Sequence, residues 1–474
     1  MTPLLELRLI DLNALSWTRR GAAALAIAAA VAAHAGKPSS DPCLPGEALP
    51  DQVLIELEGS TAIADVLAAI QPDFPTVTVL EAAPELGYFV LAAPPPVCEL
   101  DLIAALMAVP GVEEADFNEI GQTSESQSQS FFFALESDYS SQYAWPLLGL
   151  SEAHAVSLGE GALVAIIDTG LDASHPVFAG ATILAGLDFV GDELGAGDLG
   201  DGIDNDNDGV TDEMVGHGTF VAGLIHTIAP QATILPLRAI DTEGNGSAFA
   251  VAQAVGAALA AGADVINLSF SSTDANDLLS SMIEQAQSAG VVVVTAAGNS
   301  SVIGEAPFPA DMSGILAVAA TNAKDIKADF SNAGGFVDLS APGVAIASTM
   351  PADAYAFTDG TSMAAAMVSG GAALVRAHEP LFTGAQIRAK LKSSAVPIDA
   401  LNPGLAGKLG AGRLDLAAAV DALTASADLD GDGAVNGADL GLLIGAWGTA
   451  AADLNGDGTT NGSDLGILLA AWTR

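Results

Sequence analysis

Cysteine is nearly absent, with only Cys43 and Cys98 in 474 residues. Two cysteines cannot build a disulfide-dense scaffold. Basic side chains are scarce as well. Lys and Arg number 14 against 58 Asp and Glu, a formal charge of −44. Such a surface argues against nucleic acid and anionic lipid as partners. It fits a saline habitat, calcium loading or a plainly solvated acidic face. Long apolar runs are missing too: no segment reaches the roughly 20 residues that a membrane span requires. What is abundant is small and apolar. Half of the residues are hydrophobic, which excludes general disorder, and the length allows several domains and a large core.

Three short segments carry chemistry: Ala165-Ile166-Ile167-Asp168-Thr169-Gly170, Gly216-His217-Gly218-Thr219 and Gly360-Thr361-Ser362-Met363-Ala364. An acid, a base and a hydroxyl nucleophile each stand in a glycine-bounded turn. A serine hydroxyl attacks a carbonyl when a neighbouring base takes its proton, and that base needs a buried carboxylate to fix its tautomer. Leu163 to Ile167 is a short apolar run, so Asp168 is expected at the carboxyl end of a parallel strand, the edge where open α/β sheets place their sites. The apolar residues after His217 and after Ser362 predict two buried helices with these side chains at their amino ends. There the free N–H groups and the helix dipole suit an oxyanion. Val291 to Ala296 predicts a buried strand leading to Asn299, whose amide can donate to the same oxygen.

With these motifs in this order, residues 138–423 resemble the subtilisin-like serine proteases, the subtilases. Further matches are Val265-Ile266-Asn267-Leu268-Ser269, Phe330-Ser331-Asn332, Ser340-Ala341-Pro342-Gly343 and Gly410-Ala411-Gly412-Arg413-Leu414-Asp415. The resemblance implies an α/β, subtilisin-like three-layer fold with a mainly parallel sheet. It implies a serine endopeptidase with catalytic Asp168, His217 and Ser362, an oxyanion donor at Asn299, and no cofactor for catalysis. Protein or peptide substrates would lie along Gly244, Gly246, Ser269, Phe270 and Ser271, beside Ala296, Ala297 and Gly298. Two positions depart from the family. Ala366 and Met367 stand where it usually has proline and often histidine, and Ser271 stands where it usually has glycine. The serine is expected to narrow the pocket for the residue before the scissile bond. An inactive subtilase scaffold and a calcium-dependent binding module are the competing readings.

Arg19-Arg20 and the apolar stretch Ala22 to Ala33, followed by Ala33-His34-Ala35, read as an export signal over residues 1–35, making the product secreted, extracellular or cell-surface associated. Residues 36–120 read as a small β–α–β–α–β unit similar to the inhibitory propeptide of subtilases, so the chain's own propeptide is expected to act as inhibitor. Cys43 and Cys98 both fall there; a disulfide suits an exported protein, and two buried free thiols are the alternative. Residues 121–137 read as linker and processing region, 138–424 as the catalytic domain, and 425–474 as a small helical domain.

That last domain repeats a calcium-loop pattern. Asp428, Asp430, Asp432, Asn436 and Asp439 are matched by Asp453, Asn455, Asp457, Asn461 and Asp464. A hard cation explains such clustered oxygens, and each loop leads into a helix with apolar residues at Leu440, Leu443, Ile444 and Trp447, or Leu465, Leu468, Leu469 and Trp472. The duplication resembles a dockerin domain, implying structural calcium and a surface or cohesin-like partner. A third loop, with Asp204, Asp206, Asp208 and Asp212, starts in the same way but has Val215 at its twelfth position.

Overall fold

The computed structural model describes residues 48–472 except 60, 85, 124–130, 192–194, 205–208, 273–274, 431–433 and 455–458, and the side chains of 421–426 and 470. The expected export signal and Cys43 lie outside the described residues. Cys98 is disulfide-bonded.

The first unit comprises β1 (Ala48–Leu57), α1 (Ile63–Ile70), β2 (Thr78–Ala83), β3 (Tyr88–Ala92), α2 (Glu99–Leu106) and β4 (Val112–Thr123). Strand β1 pairs antiparallel with β3 and β4, and β2 adds beyond β3. Strand side chains alternate between faces, and both faces are used here. Val53 and Ile55 pack on Val66, Ile70, Leu102 and Leu106 of α1 and α2. Leu54, Tyr88 and Val90 point the other way, into the core of the next unit. The β–α–β–α–β reading misses β2. Only Ala83 of that strand is fully buried, so no apolar alternation marks it.

The second unit begins with β5 (Phe132–Ala134), α3 (Glu136–Ser141), α4 (Ala144–Leu148), α5 (Leu150–His154), β6 (Leu163–Asp168), β7 (Thr182–Ile183) and β8 (Leu187–Asp188). It continues through α6 (His217–Ile228), β9 (Thr233–Arg238), β10 (Asn245–Ser247), α7 (Ala248–Ala261), β11 (Val265–Leu268), β12 (Phe270–Ser271), α8 (Asp277–Ser288), β13 (Val292–Ala296) and β14 (Leu316–Thr321). It ends with β15 (Leu339–Pro342), β16 (Ile346–Met350), β17 (Ala354–Thr358), α9 (Thr361–His378), α10 (Gly384–Ser393) and α11 (Leu416–Ala427). The central sheet runs β15-β14-β13-β11-β6-β9-β7, with β8 also on β9. Its pairings are all parallel.

Parallel sheets are covered on both faces, which is why these strands read as continuous apolar runs. Val164, Ile166, Val265 and Val294 meet Phe220, Leu224, Met363 and Leu374 of α6 and α9 on one face. Ala165, Ile167, Ile266 and Val293 meet Phe249, Val255, Leu279 and Ile283 of α7 and α8 on the other. Each such Val, Leu, Ile, Phe or Met side chain contributes about 1.5–3 kcal/mol by burial. The chain leaves β6 for β9 on one side and later returns to β11 on the other. A crevice opens at the carboxyl end of a strand where the order reverses in this way, and Asp168 ends that strand.

Two expected boundaries shift. Residues up to Thr123 belong to β4, which runs between β10 and β12. Phe132–Ala134 already pairs with β17, so the second unit starts before residue 138. The tail adds α12 (Gly437–Gly445) and α13 (Gly462–Ala470). Ala427, Val435, Leu443, Ala452 and Leu468 form its small core. The apolar stripe divides, for Ile444 and Trp447 remain 57% and 51% exposed. Among the described residues no helix is long and apolar enough to cross a membrane.

Candidate active site

Asp168 closes β6 and His217 opens α6. His217 Nδ1 lies 2.6 Å from Asp168 Oδ1, with both side chains shut off from water. The Thr169 N–H donates to the same Oδ1 at 2.8 Å. The helix start must approach the strand end closely for this contact. A Cβ on Gly218 would stand 2.2 Å from the Gly170 carbonyl oxygen, so glycine alone permits the approach. The Gly218 N–H donates instead to Thr169 Oγ1 at 2.9 Å.

Beneath this pair sits a carboxylate that sequence reading did not single out. Asp198 is buried and accepts four hydrogen bonds. Thr169 Oγ1 and the Gly216 N–H donate to Oδ1 at 3.1 and 2.8 Å. The Thr219 N–H and Oγ1 donate to Oδ2 at 2.9 and 2.6 Å. Burial pushes this carboxyl above the usual range, opposed by those donors and reinforced by the Asp168 charge. Asp198 thus caps the amino end of the helix that carries His217 and ties it to the turn after Asp168. Its sequence context, Gly-Ala-Gly-Asp-Leu-Gly-Asp, looks like any acidic loop. Arg238 was also missed. It pairs with Asp168 across β6 and β9, is fully buried, and donates from Nε to the Thr169 carbonyl at 3.2 Å and from a terminal nitrogen to Asp188 at 3.3 Å.

Ser362 is the second residue of α9, a helix buried from Thr361 through Val375 and packed against α6. Ala366 and Met367 are wholly enclosed in it. Asn299 follows β13 by three residues. Its Oδ1 accepts the Thr361 N–H at 3.0 Å and Thr361 Oγ1 at 2.8 Å. With Oδ1 so engaged, the donating Nδ2 end is turned away from Thr361. The matched motifs hold this arrangement. Asn332 Oδ1 accepts the Ser300 and Val302 N–H groups at 3.1 and 2.8 Å, fixing the loop past Asn299. Asn267 accepts Ser369 Oγ at 2.8 Å and donates to Ser269 Oγ at 3.0 Å, joining β11 to α9.

Of the expected substrate-binding residues, Gly246 lies on β10 and Phe270 and Ser271 lie on β12, with β4 between these two strands. Gly121 pairs antiparallel with Gly246, and Gln122 with Asn245. Across the gap, Gln122 pairs with Ser271 and Thr123 with Phe270. The Thr123 N–H donates to the Gly244 carbonyl at 2.8 Å. Ser269, Ala296 and Ala297 are buried at the ends of β11 and β13, and Gly298 turns the chain there with φ of 93°.

The acidic loops are partly in view. In the tail, Asp428, Asp430 and Asp439 bring carboxylate oxygens within 4.8 Å of one another. Asp439 is oriented by N–H donors from Leu429, Asp430 and Asn436 at 2.7–3.2 Å. In the second repeat Asp464 is held by Leu454 and Asn461 at 2.7 and 2.6 Å. Asn436 and Asn461 cap α12 and α13 through the Ala438 and Ser463 N–H groups. Asp453 opens the second loop; Asp432, Asn455 and Asp457 lie outside the described residues. Near His217, Asp212 accepts the Asp201 and Gly202 N–H groups, both at 3.0 Å, and Asp204 accepts that of Gly209 at 3.0 Å. Asp206 and Asp208 lie outside the described residues.

Residues 159–426 match the family model described as Subtilase family, Peptidase_S8. Thermitase of Thermoactinomyces vulgaris is 37% identical over 267 residues, which cover 54% of this chain and 88% of that protein. Subtilisin E of Bacillus subtilis (strain 168) is 33% identical over 265 residues, covering 52% of this chain and 65% of that protein. A solved structure of similar fold is fervidolysin from Fervidobacterium pennivorans, described as a keratinolytic enzyme related to subtilisin. The TM-score is 0.63 at 23% identity, over 79% of this chain and 61% of that one. The chain thus spans less than two thirds of the latter two proteins.

The Asp198 network generates a prediction. Asp198→Asn keeps the shape but turns an NH₂ group towards donors. Loss of a buried acceptor costs about 1–3 kcal/mol. We expect the unfolding free energy from urea titration to fall by that amount, seen as a lower midpoint, and turnover of a peptide substrate to fall about tenfold or more, because His217 loses its fixed helix start. Unchanged turnover and midpoint would remove Asp198 from the site.

Proposed function

This chain belongs to the subtilase family of serine endopeptidases, and we propose that it is exported as a zymogen, cuts peptide bonds through Asp168, His217 and Ser362, and is tethered by a calcium-loaded tail. The observation that carries the catalytic reading is the 2.6 Å contact between His217 and Asp168 at the sheet's carboxyl edge. Ser362 Oγ attacks the scissile carbonyl carbon and its proton passes to His217 Nε2. Asp168 holds Nδ1–H and stabilises the imidazolium. The carbonyl oxygen, now negative, receives hydrogen bonds from Asn299 Nδ2 and from the Ser362 N–H at the start of α9; one such donor is worth about 10²–10³ in rate. Collapse of the tetrahedral species breaks the C–N bond, and His217 returns the proton to the leaving amine. Water then releases the acyl group from Ser362 by the same route.

The zymogen reading is supported by β4, which fills the gap between β10 and β12 in the way an extended substrate would. Maturation would then cut in the processing region read from the sequence, residues 121–137. The Ser362→Ala protein, made in a host without other extracellular proteases, should accumulate as a precursor that keeps residues 36–120. Mass spectrometry and amino-terminal sequencing read this directly. A normally processed Ser362→Ala product would refute self-maturation, and peptide hydrolysis within tenfold of wild type would sink the triad.

Docking of the small unit should depend on pH. Glu114 of β4 faces Asp277 at the start of α8, with Glu56, Glu113, Asp116 and the Tyr88 hydroxyl around it. Its pKa is raised to about 7, first by burial, then by hydrogen bonding to Asp277 and by like charge. A raised carboxyl pKa means that the docked state holds a proton the free state has lost. Docking is therefore strongest below the ordinary glutamate range and weakens as pH rises through about 7. Titration of the separately added small unit as an inhibitor should show weaker inhibition at pH 8 than at pH 5, in the range of known carboxyl titration. Glu114→Gln should flatten that dependence.

The donor chemistry of Asp428, Asp430 and Asp439 fits a hard cation, with Asp432 and Asn436 completing the loop and Asp453, Asn455, Asp457, Asn461 and Asp464 forming the second. Bound calcium would neutralise carboxylates that otherwise repel. In the full-length Ser362→Ala protein, calcium should raise helical signal and change tryptophan fluorescence. Asp439→Ala combined with Asp464→Ala should abolish both changes. A response absent up to millimolar calcium, the weak end for extracellular sites, would remove calcium from the proposal.

A further inference from the structure

The strand between β10 and β12 carries glycine at one position, and the structure gives a reason. Gly121 pairs with Gly246 on one side. On the other side Phe270 pairs with Thr123, two residues further along, and its ring reaches diagonally to Gly121. A Cβ built on Gly121 would lie 1.9 Å from Phe270 Cζ, 2.3 Å from Cε2 and 2.7 Å from Cε1. Atoms cannot approach so closely, so any larger residue must displace the ring. The ring has little freedom to move. With β4 in place, Phe270 is 1% exposed and belongs to the core cluster that also holds Leu279 and Phe308. Those two side chains and Ala248 lie around the same spot beside Gly121.

We propose that Phe270 is a specificity-determining residue: it fills the recess opposite Gly246 from the enzyme's own side, so that the protease selects extended segments with glycine at the position where Gly121 now lies. The inference rests on the reading of β4's end as a substrate-like strand. The favoured substrate class is an extended, glycine-containing segment, with the glycine two residues before the residue that pairs with Phe270. A side chain at that position must overpack a finished core, and such insertions are disfavoured by factors of about 5 to 150. Ser271, at the neighbouring position, pairs with Gln122.

The test uses the mature enzyme and quenched fluorescent peptides spanning residues 119–130, with glycine, alanine, leucine or phenylalanine in place of Gly121. The glycine peptide should exceed the leucine and phenylalanine peptides in kcat/KM by about 30-fold or more, with alanine between them. In Phe270→Ala the recess opens, and the leucine peptide should equal or overtake the glycine peptide. Phe270→Leu should fall between and serves where the alanine variant folds poorly. Each ratio is taken within one enzyme preparation, so a loss of folded protein cancels. Equal rates for glycine and leucine in the wild type, or a ratio unmoved in both Phe270 variants, would overturn the inference while leaving the endopeptidase standing. If the wild type cuts none of the peptides and no unfolded protein such as casein, the endopeptidase reading fails and the inference with it.

Discussion

A carboxylate and an imidazole shut off from water are stable only if oriented donors and charges replace the solvent they have lost. The Asp168–His217 pair sets this demand, and the surrounding structure answers it. Thr169 donates to Asp168, Asp198 clamps the turn on one side and the helix start on the other, and Arg238 holds the Thr169 carbonyl from the next strand. Donors from so many segments can converge only where many loops meet. A parallel sheet with helices on both faces brings all its βα loops to one edge. The burial of Val164 to Ile167 on two faces therefore underlies the chemistry as well as the stability.

One strand belongs to two structures. Through β1, β4 is part of the sheet of the small unit; through β10 and β12 it lines the cleft of the large one. The small unit also lends Leu54, Tyr88 and Val90 to the core beside α7 and α8. Set against this apolar contact is a cluster of like charges, Glu56, Glu114, Asp116 and Asp277, at the same boundary. The boundary thus combines burial that favours docking with repulsion that grows as the carboxyls ionise.

The charge of −44 is unevenly used. Some carboxylates are structural, as where Asp198, Asp212, Asp439 and Asp464 satisfy backbone N–H groups that would otherwise be unpaired. In the tail the two repeats use the same device, an asparagine cap and an aspartate three residues later. That reciprocal cap fixes each loop against its helix and leaves Asp428 and Asp430 converging on Asp439.

The reaction class, the Asp168–His217 pair and the duplicated acidic loops were legible in the sequence. Each is written in a contiguous glycine-bounded motif, because a sharp turn or a close approach needs particular residues side by side. The helices that begin at His217 and just before Ser362 and the strands ending at Asp168 and near Asn299 were legible for the same local reason, since their apolar runs are unbroken. Other features depended on residues that meet only after folding. Asp198 is one aspartate among many until Gly216 and Thr219 are brought to it. Arg238 looks like a surface cation until β9 is enclosed. Strand β2 has almost no apolar signature, because what recruits it is the open edge of β3 rather than burial. Gly121 reads as part of a linker, and Phe270 as one of several residues expected along the substrate, with nothing in the sequence to join the two. Their contact, 149 residues apart in the chain, exists only because β4 enters the cleft in one register, and hydrogen-bond pairing between distant strands is what sets that register.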